Sequence, residues 1–483
     1  MTRARKSRPA GPSEEARTRR ESFEGYPRVD VVAAHVALEA LRGEVGSSVV
    51  TELVRASLAR ERALLVNGLR AAAPSEEEVL HDVRARAKAL MDTRAVGVLN
   101  ATGVILHTNL GRAPLSDQAA SRLAERSQGY SSIEFDLATG KRGRRGAFVE
   151  DALVRLTAAE DALAVNNCAS AALLMLSALV RGRRVIVSRG ELVEIGGGFR
   201  VPDVLAESGA LMVEVGTTNK TRAADFDGAL AEAGDGAAIL SVHPGNFQQT
   251  GFVERPALAE LAEVARNRGA LFLFDLGGGA LVDLSAAGFS GEPVVREVVL
   301  AGVDVVTFSA DKALGGPQGG IAVGKHGLIE KMRRHPLHRA VRMGRLPMTA
   351  LEATLESYLR GRAWEEVPAL TQAITKEDAL HERVLRWLRD VGGPVEVVQV
   401  RSEMGGGTLA GRTIPSWGLR VGDIASANAL VDALRSGDPP VIARIDEGRA
   451  TLDARTIHPR DDERLCQVLR TAIQQVSRRS ERR

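Results

Sequence analysis

An α/β fold is predicted: a seven-stranded, mostly parallel sheet, with a small N-terminal helical domain and a smaller C-terminal α/β domain. Three observations carry this. Short β-branched and apolar runs begin near residues 162, 184, 211, 238, 271, 304 and 320, with helical segments such as 256–268 between them. Alternation of this kind covers a parallel sheet on both faces. Several runs also close on polar clusters, Arg189-Gly-Glu191, Gly216-Thr-Thr-Asn219 and His243-Pro-Gly-Asn246, which such a topology gathers at the sheet edge that holds ligands. Finally, the 483 residues are 44% hydrophobic and include 49 glycines, enough for a sizeable core and many loops.

Residues 1–25 are rich in Arg, Ser, Pro and Glu without an apolar period, and are expected to form a disordered basic tail. Residues 26–94 read as a helical domain. Val29, Val32, Val36 and Leu38 mark a first helix, and Val49, Val50, Leu53, Val54 and Leu58 a second. A third, Glu76 to Leu90, is opened by Ser75, with Glu78 placed for a capping box. Such a domain suits docking of tRNA or a partner, or oligomerisation. Residues 1–20 hold seven Arg/Lys against two Glu, and 476–483 four Arg against one Glu. Basic ends on a mildly acidic body suit weak attraction to a polyanion such as RNA, and equally suit solubilising tails.

The expected catalytic domain spans 95–345. Within it, Gly140-Lys-Arg-Gly-Arg-Arg-Gly146 spaces guanidinium groups so that Arg142 and Arg145 can converge on an oxyanion, unless the loop is merely solvated. The strand Asp161–Asn166 runs through Asn167-Cys-Ala-Ser170 into a helix over 171–180. Small residues at a helix start admit a phosphate to the free amides of Cys168, Ala169 and Ser170.

Two strands then end on the residues around which the chain is organised. Leu271-Phe-Leu-Phe-Asp275 closes on a carboxylate. Asp304-Val-Val-Thr-Phe308 runs into Ser309, Asp311 and Lys312 before the glycine turn 315–320. A lysine held at a strand end can be partly desolvated, which frees its amine as a nucleophile. Only eight lysines stand against 56 arginines, so few compete for that role. Lys312 suits a Schiff base to pyridoxal 5'-phosphate, and Asp275 the pyridinium nitrogen of that cofactor. Its phosphate is then placed on Cys168, Ala169 and Ser170, with Ser309 beside the lysine. His243 could shield the ring or hydrogen-bond to it, or be structural.

Beyond the sheet, Arg339 and Arg342 lie three apart, hence on one face of a predicted helix, where they could grip a tetrahedral anion. A long helix over 348–359 opens the C-terminal domain, 346–475, with strands near 395–400, 417–421 and 441–445; a basic tail, 476–483, ends the chain. Cys168 and Cys466 are the only cysteines, so a disulfide framework and a zinc site are not expected, and a cytoplasmic setting is. The longest apolar stretch, 169–180, is too short to span a bilayer. No apolar segment follows the basic N-terminus, so no secretory signal is expected.

Across roughly residues 26–470 the chain resembles the bacterial selenocysteine synthases, L-seryl-tRNA(Sec) selenium transferases. These are pyridoxal phosphate (PLP) enzymes of fold type I, the aspartate aminotransferase type. The motifs are Asn100-Ala-Thr-Gly-Val-Ile-Leu-His-Thr-Asn-Leu-Gly-Arg112, Val165-Asn-Asn-Cys168, Ser188-Arg-Gly-Glu-Leu-Val-Glu-Ile-Gly-Gly197, Glu214-Val-Gly-Thr-Thr-Asn219, Asp275-Leu-Gly277 and Asp311-Lys-Ala-Leu-Gly-Gly-Pro-Gln318. Three positions depart from the family pattern: Ala310 where glycine is expected, Pro244-Gly245 for Thr-Ser, and Gly278 for serine.

The resemblance implies Lys312 as the Schiff-base lysine and Asp275 as its ring partner. It places Arg142, Arg145, Arg339, Arg342 and Asp311 at the substrate anion, selenophosphate. It further implies a ring-shaped homo-oligomer with interfacial active sites, and tRNA held by residues 26–94. The implied reaction eliminates the seryl hydroxyl to give aminoacrylyl-tRNA and adds selenium, yielding selenocysteinyl-tRNA(Sec). No metal, membrane or DNA partner is expected. Two alternatives are a small-molecule PLP lyase on the same fold, such as an amino-sugar acid phosphate ammonia-lyase, and a PLP-free RNA-binding protein using the basic tails.

Overall fold

The computed structural model describes residues 25–196, 198–422 and 426–481. All of the expected N-terminal tail except Gly25, and the last two residues of the C-terminal one, lie outside them. The chain divides into two compact units, up to Gly97 and from Val98. Among the described residues no helix is long and apolar enough to cross a membrane.

The first unit holds helices α1 (Val29–Ala34), α2 (Glu39–Val45), α3 (Ser47–Val66) and α4 (Glu76–Met91). Its core is Val32, Leu38, Val50, Val54, Leu58, Val79, Leu80 and Val83. The helix expected over Val29–Leu38 divides at His35, whose imidazole accepts from the Ala37 amide at 3.1 Å. At α4 the Glu78 amide donates to Ser75 Oγ (3.2 Å) and the Ser75 amide to Glu78 Oε2 (2.7 Å), a closed capping box.

The second unit is built on seven strands: β1 (Asp161–Val165), β2 (Arg184–Ser188), β3 (Leu211–Val215), β4 (Ala238–Val242), β5 (Leu271–Gly277), β6 (Val305–Ser309) and β7 (Gly320–Gly324). Their order is β1-β7-β6-β5-β4-β2-β3. Only β7 runs against its neighbours, so the other six all end at one edge. Burial on both faces explains why the strands inside the sheet read as apolar runs, while β3 at its edge is largely exposed and carries Glu214. Ala162, Ile186, Ile239, Phe272, Phe274, Val306 and Phe308 face one core. Leu163, Val185, Val187, Leu240, Leu273 and Val305, alternate in sequence, face the other.

Two boundaries differ from expectation. Helix Arg345–Leu359, expected in the C-terminal domain, instead packs Met348, Leu351, Leu355 and Tyr358 into the core of Phe308 and Leu314, and Tyr358 donates to the Leu314 carbonyl at 2.8 Å. The smaller core instead starts at Leu380 in helix Glu377–Val391. It also takes in Leu99, because Leu99–Asn100 pairs in parallel with Val441–Ile442. The second difference is at the end: helix Asp462–Glu481 runs through residues 476–481, so most of the expected tail continues an amphipathic helix.

Over the smaller core lie β8 (Val395–Gly405), β9 (Thr408–Val421), β10 (Arg444–Asp446) and β11 (Arg449–Asp453), in the order β8-β9-β11-β10. The β8–β9 hairpin is far longer than the expected pieces. Its tip, Gly405-Gly406-Gly407, turns on three positive φ angles and reaches the edge of the large sheet. There a Cβ on Gly245 would stand 2.3 Å from the Gly407 carbonyl oxygen.

Candidate active site

The edge where six strands end collects Cys168, His243, Asp275, Ser309 and Lys312. Lys312 follows β6 in a turn whose Gly315 amide donates to the Lys312 carbonyl (2.8 Å) and whose Gly316 amide donates to that of Ala310 (2.7 Å). The Ala313 amide donates to the Gly278 carbonyl at 3.2 Å, tying this turn to the loop after β5. The lysine is 7% exposed. Its Nζ lies against two glycines: a Cβ on Gly277 would stand 3.8 Å from it, and one on Gly407 3.7 Å. Two missing side chains thus leave room around the amine.

Asp275 is buried at the adjoining strand end. Its Oδ1 accepts from Thr307 Oγ1 at 3.0 Å and from Cys168 Sγ at 3.5 Å. Burial pushes its pKa up, while these two donors and the Lys312 charge pull the other way. The Cys168 thiol is pushed well up by burial and by the Asp275 charge, so it stays a donor. Ser309 lies within hydrogen-bonding reach of the same thiol. The His243 amide donates to the Asp275 carbonyl at 2.9 Å. Its imidazole is lowered to about 4 by burial, then by the Arg255 and Lys312 charges, which leaves it neutral at pH 7. A cavity of about 260 Å³ opens beside it, lined among others by Gln248, Arg255, Ser290, Leu409 and Arg412.

The helix after β1, Cys168–Leu179, is capped by Asn167, whose Oδ1 accepts from the Ser170 amide at 2.8 Å. Of the three amides expected to meet a phosphate, that of Ser170 is therefore already used. Asn167 is held from the other side as well: a Cβ on Gly320 would stand 1.9 Å from its carbonyl oxygen, so β7 must start on a glycine.

The expected anion residues fall elsewhere. A cavity of about 160 Å³ is lined by Glu134, Arg142, Arg145, Arg333, Arg342 and neighbours, and by none of the residues around Lys312. Its centre is the Glu134 carboxylate, which takes Arg145 at 2.8 Å, Arg142 at 2.9 Å and Arg342 at 3.1 Å. These guanidinium groups, Arg145 first, hold its pKa down.

Arg339 is exposed and does not line this cavity. The helix opened by Pro336 ends at Ala340, so Arg342 leaves it and bridges to Val165; the two arginines do not share a helical face. Asp311 also differs. Buried, it takes Arg112 Nη1 at 2.7 Å, and a carboxylate repels an anion while it can hold an arginine.

Four side chains escaped the sequence reading: Thr307, Arg112, Glu134 and Glu292. Thr307 and Arg112 lie within runs whose pattern gives them no distinguishing mark. Glu134, half-buried, and Glu292, buried, lie in loops, where no apolar period points to them.

The family SelA, L-seryl-tRNA selenium transferase, matches residues 98–458. The L-seryl-tRNA(Sec) selenium transferase of Moorella thermoacetica is 42% identical over 456 residues, covering 93% of this chain and 96% of that one. Its namesake from Hyphomonas neptunium is 43% identical over 440 residues, covering 89% and 94%. Among solved structures, D-glucosaminate-6-phosphate ammonia-lyase aligns with a TM-score of 0.57 at 20% identity, over 80% of this chain and 98% of that one. That likeness concerns the fold alone.

Proposed function

The chain belongs to the L-seryl-tRNA selenium transferase family, and from that premise we propose that it converts L-seryl-tRNA(Sec) to L-selenocysteinyl-tRNA(Sec) with selenophosphate and pyridoxal phosphate. The observation that carries this reading is the buried Lys312 beside Asp275 at the sheet edge of a chain whose family match runs through both. The donor set fits the cofactor. A buried amine, a buried carboxylate with only two neutral donors on its Oδ1, a neutral imidazole and two glycine walls suit an aldehyde-bearing cationic ring. Lys312, Asp275 and His243 would hold it, with Ser309 next to the lysine and the amides of Cys168 and Ala169 towards its phosphate. When bound, it supplies an aldehyde for an amine and a ring that takes up an electron pair.

The residues divide the remaining work. Asp275 keeps a proton on the ring nitrogen, since a cation there relieves the cost of its own burial. Lys312, once its amine is free, is placed to take the Cα proton of the seryl group. Arg142, Arg145 and Arg342 would bind the anionic selenium donor, which takes over contacts they make with Glu134. Arg112, steadied by Asp311, is a further cation for that anion or for the tRNA terminus. In a homo-oligomeric ring with interfacial sites, the arginine cavity of one copy would serve the Lys312 of the next. The unit up to Gly97 would hold the tRNA, in the cytoplasm.

The test is direct. Purified protein loaded with pyridoxal phosphate is given seryl-tRNA(Sec), labelled in the serine, together with selenophosphate. Label recovered as selenocysteine is expected; label left as serine overturns the reading.

A further inference from the structure

Glu292 lies in the loop after Ser290 and Gly291, two residues that line the cavity beside His243. Its side chain is 1% exposed. Neither carboxyl oxygen has a hydrogen-bond partner among the described residues. A buried acid without donors is costly, and a fold keeps one where a bound molecule uses it. Its place is made by Gly278, three residues after Asp275: a Cβ there would stand 1.7 Å from Glu292 Oε1. The carboxyl therefore occupies the space that a side chain at 278 would fill, on the Lys312 side of the sheet edge.

We infer that Glu292 is the general acid that protonates the β-hydroxyl of the seryl group as it leaves. This rests on the function proposed above. Lys312 takes the Cα proton. The electron pair of the Cα–H bond becomes the second bond between Cα and Cβ. The pair of the Cβ–O bond leaves with the oxygen, which takes the Glu292 proton and departs as water. Glu292 is left as a carboxylate beside a Lys312 ammonium, and a proton passed from the second to the first resets both.

The other titratable groups at the site cannot serve. His243, whose Nε2 is 3.9 Å from Glu292 Oε2, is lowered to about 4 by burial and by the Arg255 and Lys312 charges, so it carries no acidic proton at pH 7. The Cys168 thiol is pushed well up, and Asp275 is committed as an acceptor. Glu292 is raised to about 7 by burial, and the Lys312 charge alone opposes this. It thus holds a proton below about pH 7 and loses it above. That value already counts the Lys312 charge, so Glu292 holds its proton more firmly while the amine is neutral and gives it up as Lys312 gains charge.

Single-turnover elimination is measured for wild type, Glu292→Gln and Glu292→Asp, on seryl-tRNA(Sec) and on the same tRNA carrying β-chloroalanine, whose chloride leaves without a proton. Glu292→Gln should lose about 100-fold or more on the seryl ester, yet stay within about threefold of wild type on the chloroalanyl ester. Wild-type rate on the seryl ester should fall at alkaline pH, where the acid form is lost, and this limb should vanish in Glu292→Gln. Cofactor fixed to Lys312 by borohydride should be unchanged, a readout independent of turnover.

Glu292→Asp, which keeps an acid but draws it back from the substrate, should show the same selective loss while retaining a pH limb, and decides the matter if Glu292→Gln does not fold. Equal losses on both esters, or no loss on the seryl ester, overturn the inference, the latter leaving Lys312 to move both protons. A wild-type protein inert on both esters overturns the proposed function and this role with it.

Discussion

The amine of Lys312 stands in a space cleared by two glycines from distant segments, Gly277 after β5 and Gly407 at the hairpin tip. A Cβ at either position would come into van der Waals contact with Nζ, so the two bare positions leave open space beside the amine. Lys312→Ala should retain no cofactor after borohydride reduction and should lose activity completely, as read by absorbance and peptide mapping. Retention would mean that another lysine holds it. Asp275→Asn keeps the shape but cannot balance a ring cation, and should cost on the order of 100-fold or more in turnover with cofactor still bound. These two positions were legible because Asp275 ends one apolar run and Lys312 stands in the turn just after another, and runs buried on both faces bring their polar ends to the ligand edge. Glu292 was not, since its environment is assembled from Gly278, His243 and Lys312, far apart in sequence.

At the level of elements, all seven strands of the sheet could be read from β-branched runs, with ends within a few residues of those observed. Elements that depend on partners could not. Arg339 and Arg342 fit a helical spacing, but the helix from Pro336 is only 5 residues long, and strand-like pairing with Val165 claims Arg342. The helix Arg345–Leu359 has a period that suits either core, and only packing chose. Where β7 starts, the helix cap and the strand lock each other. Asn167→Ala should cost about 1 kcal/mol through the lost cap on Ser170. Gly320→Ala, with its Cβ meeting the Asn167 carbonyl oxygen at 1.9 Å, should cost ~3 kcal/mol because backbone must move. Urea denaturation of both variants checks the order; a Gly320→Ala protein as stable as wild type would mean the crossing is looser than described.

For the whole molecule, the proposed function assigns chemistry to the unit after Gly97 and recognition to the unit before it. Each unit builds a core from its own residues, the first from α1, α3, α4 and the Leu38 turn, the second around the large sheet and the C-terminal layer. Lys312, Asp275, His243 and the arginine cavity all belong to the second. Basic charge at the start of the chain, seven Arg/Lys against two Glu over residues 1–20, adds attraction for a polyanion that a small substrate would not need. A chain starting at Val98 should therefore fold, bind pyridoxal phosphate and fix it on Lys312 as the full chain does. Its turnover of seryl-tRNA(Sec) should fall at least about tenfold through a raised KM, and the salt dependence of tRNA binding should flatten as phosphate contacts are lost. Cofactor binding and a tRNA binding isotherm at two salt concentrations separate these effects. Unchanged turnover after the deletion would place tRNA recognition wholly in the sheet-bearing unit, and would favour a small-molecule lyase over a tRNA enzyme if seryl-tRNA(Sec) then proved dispensable.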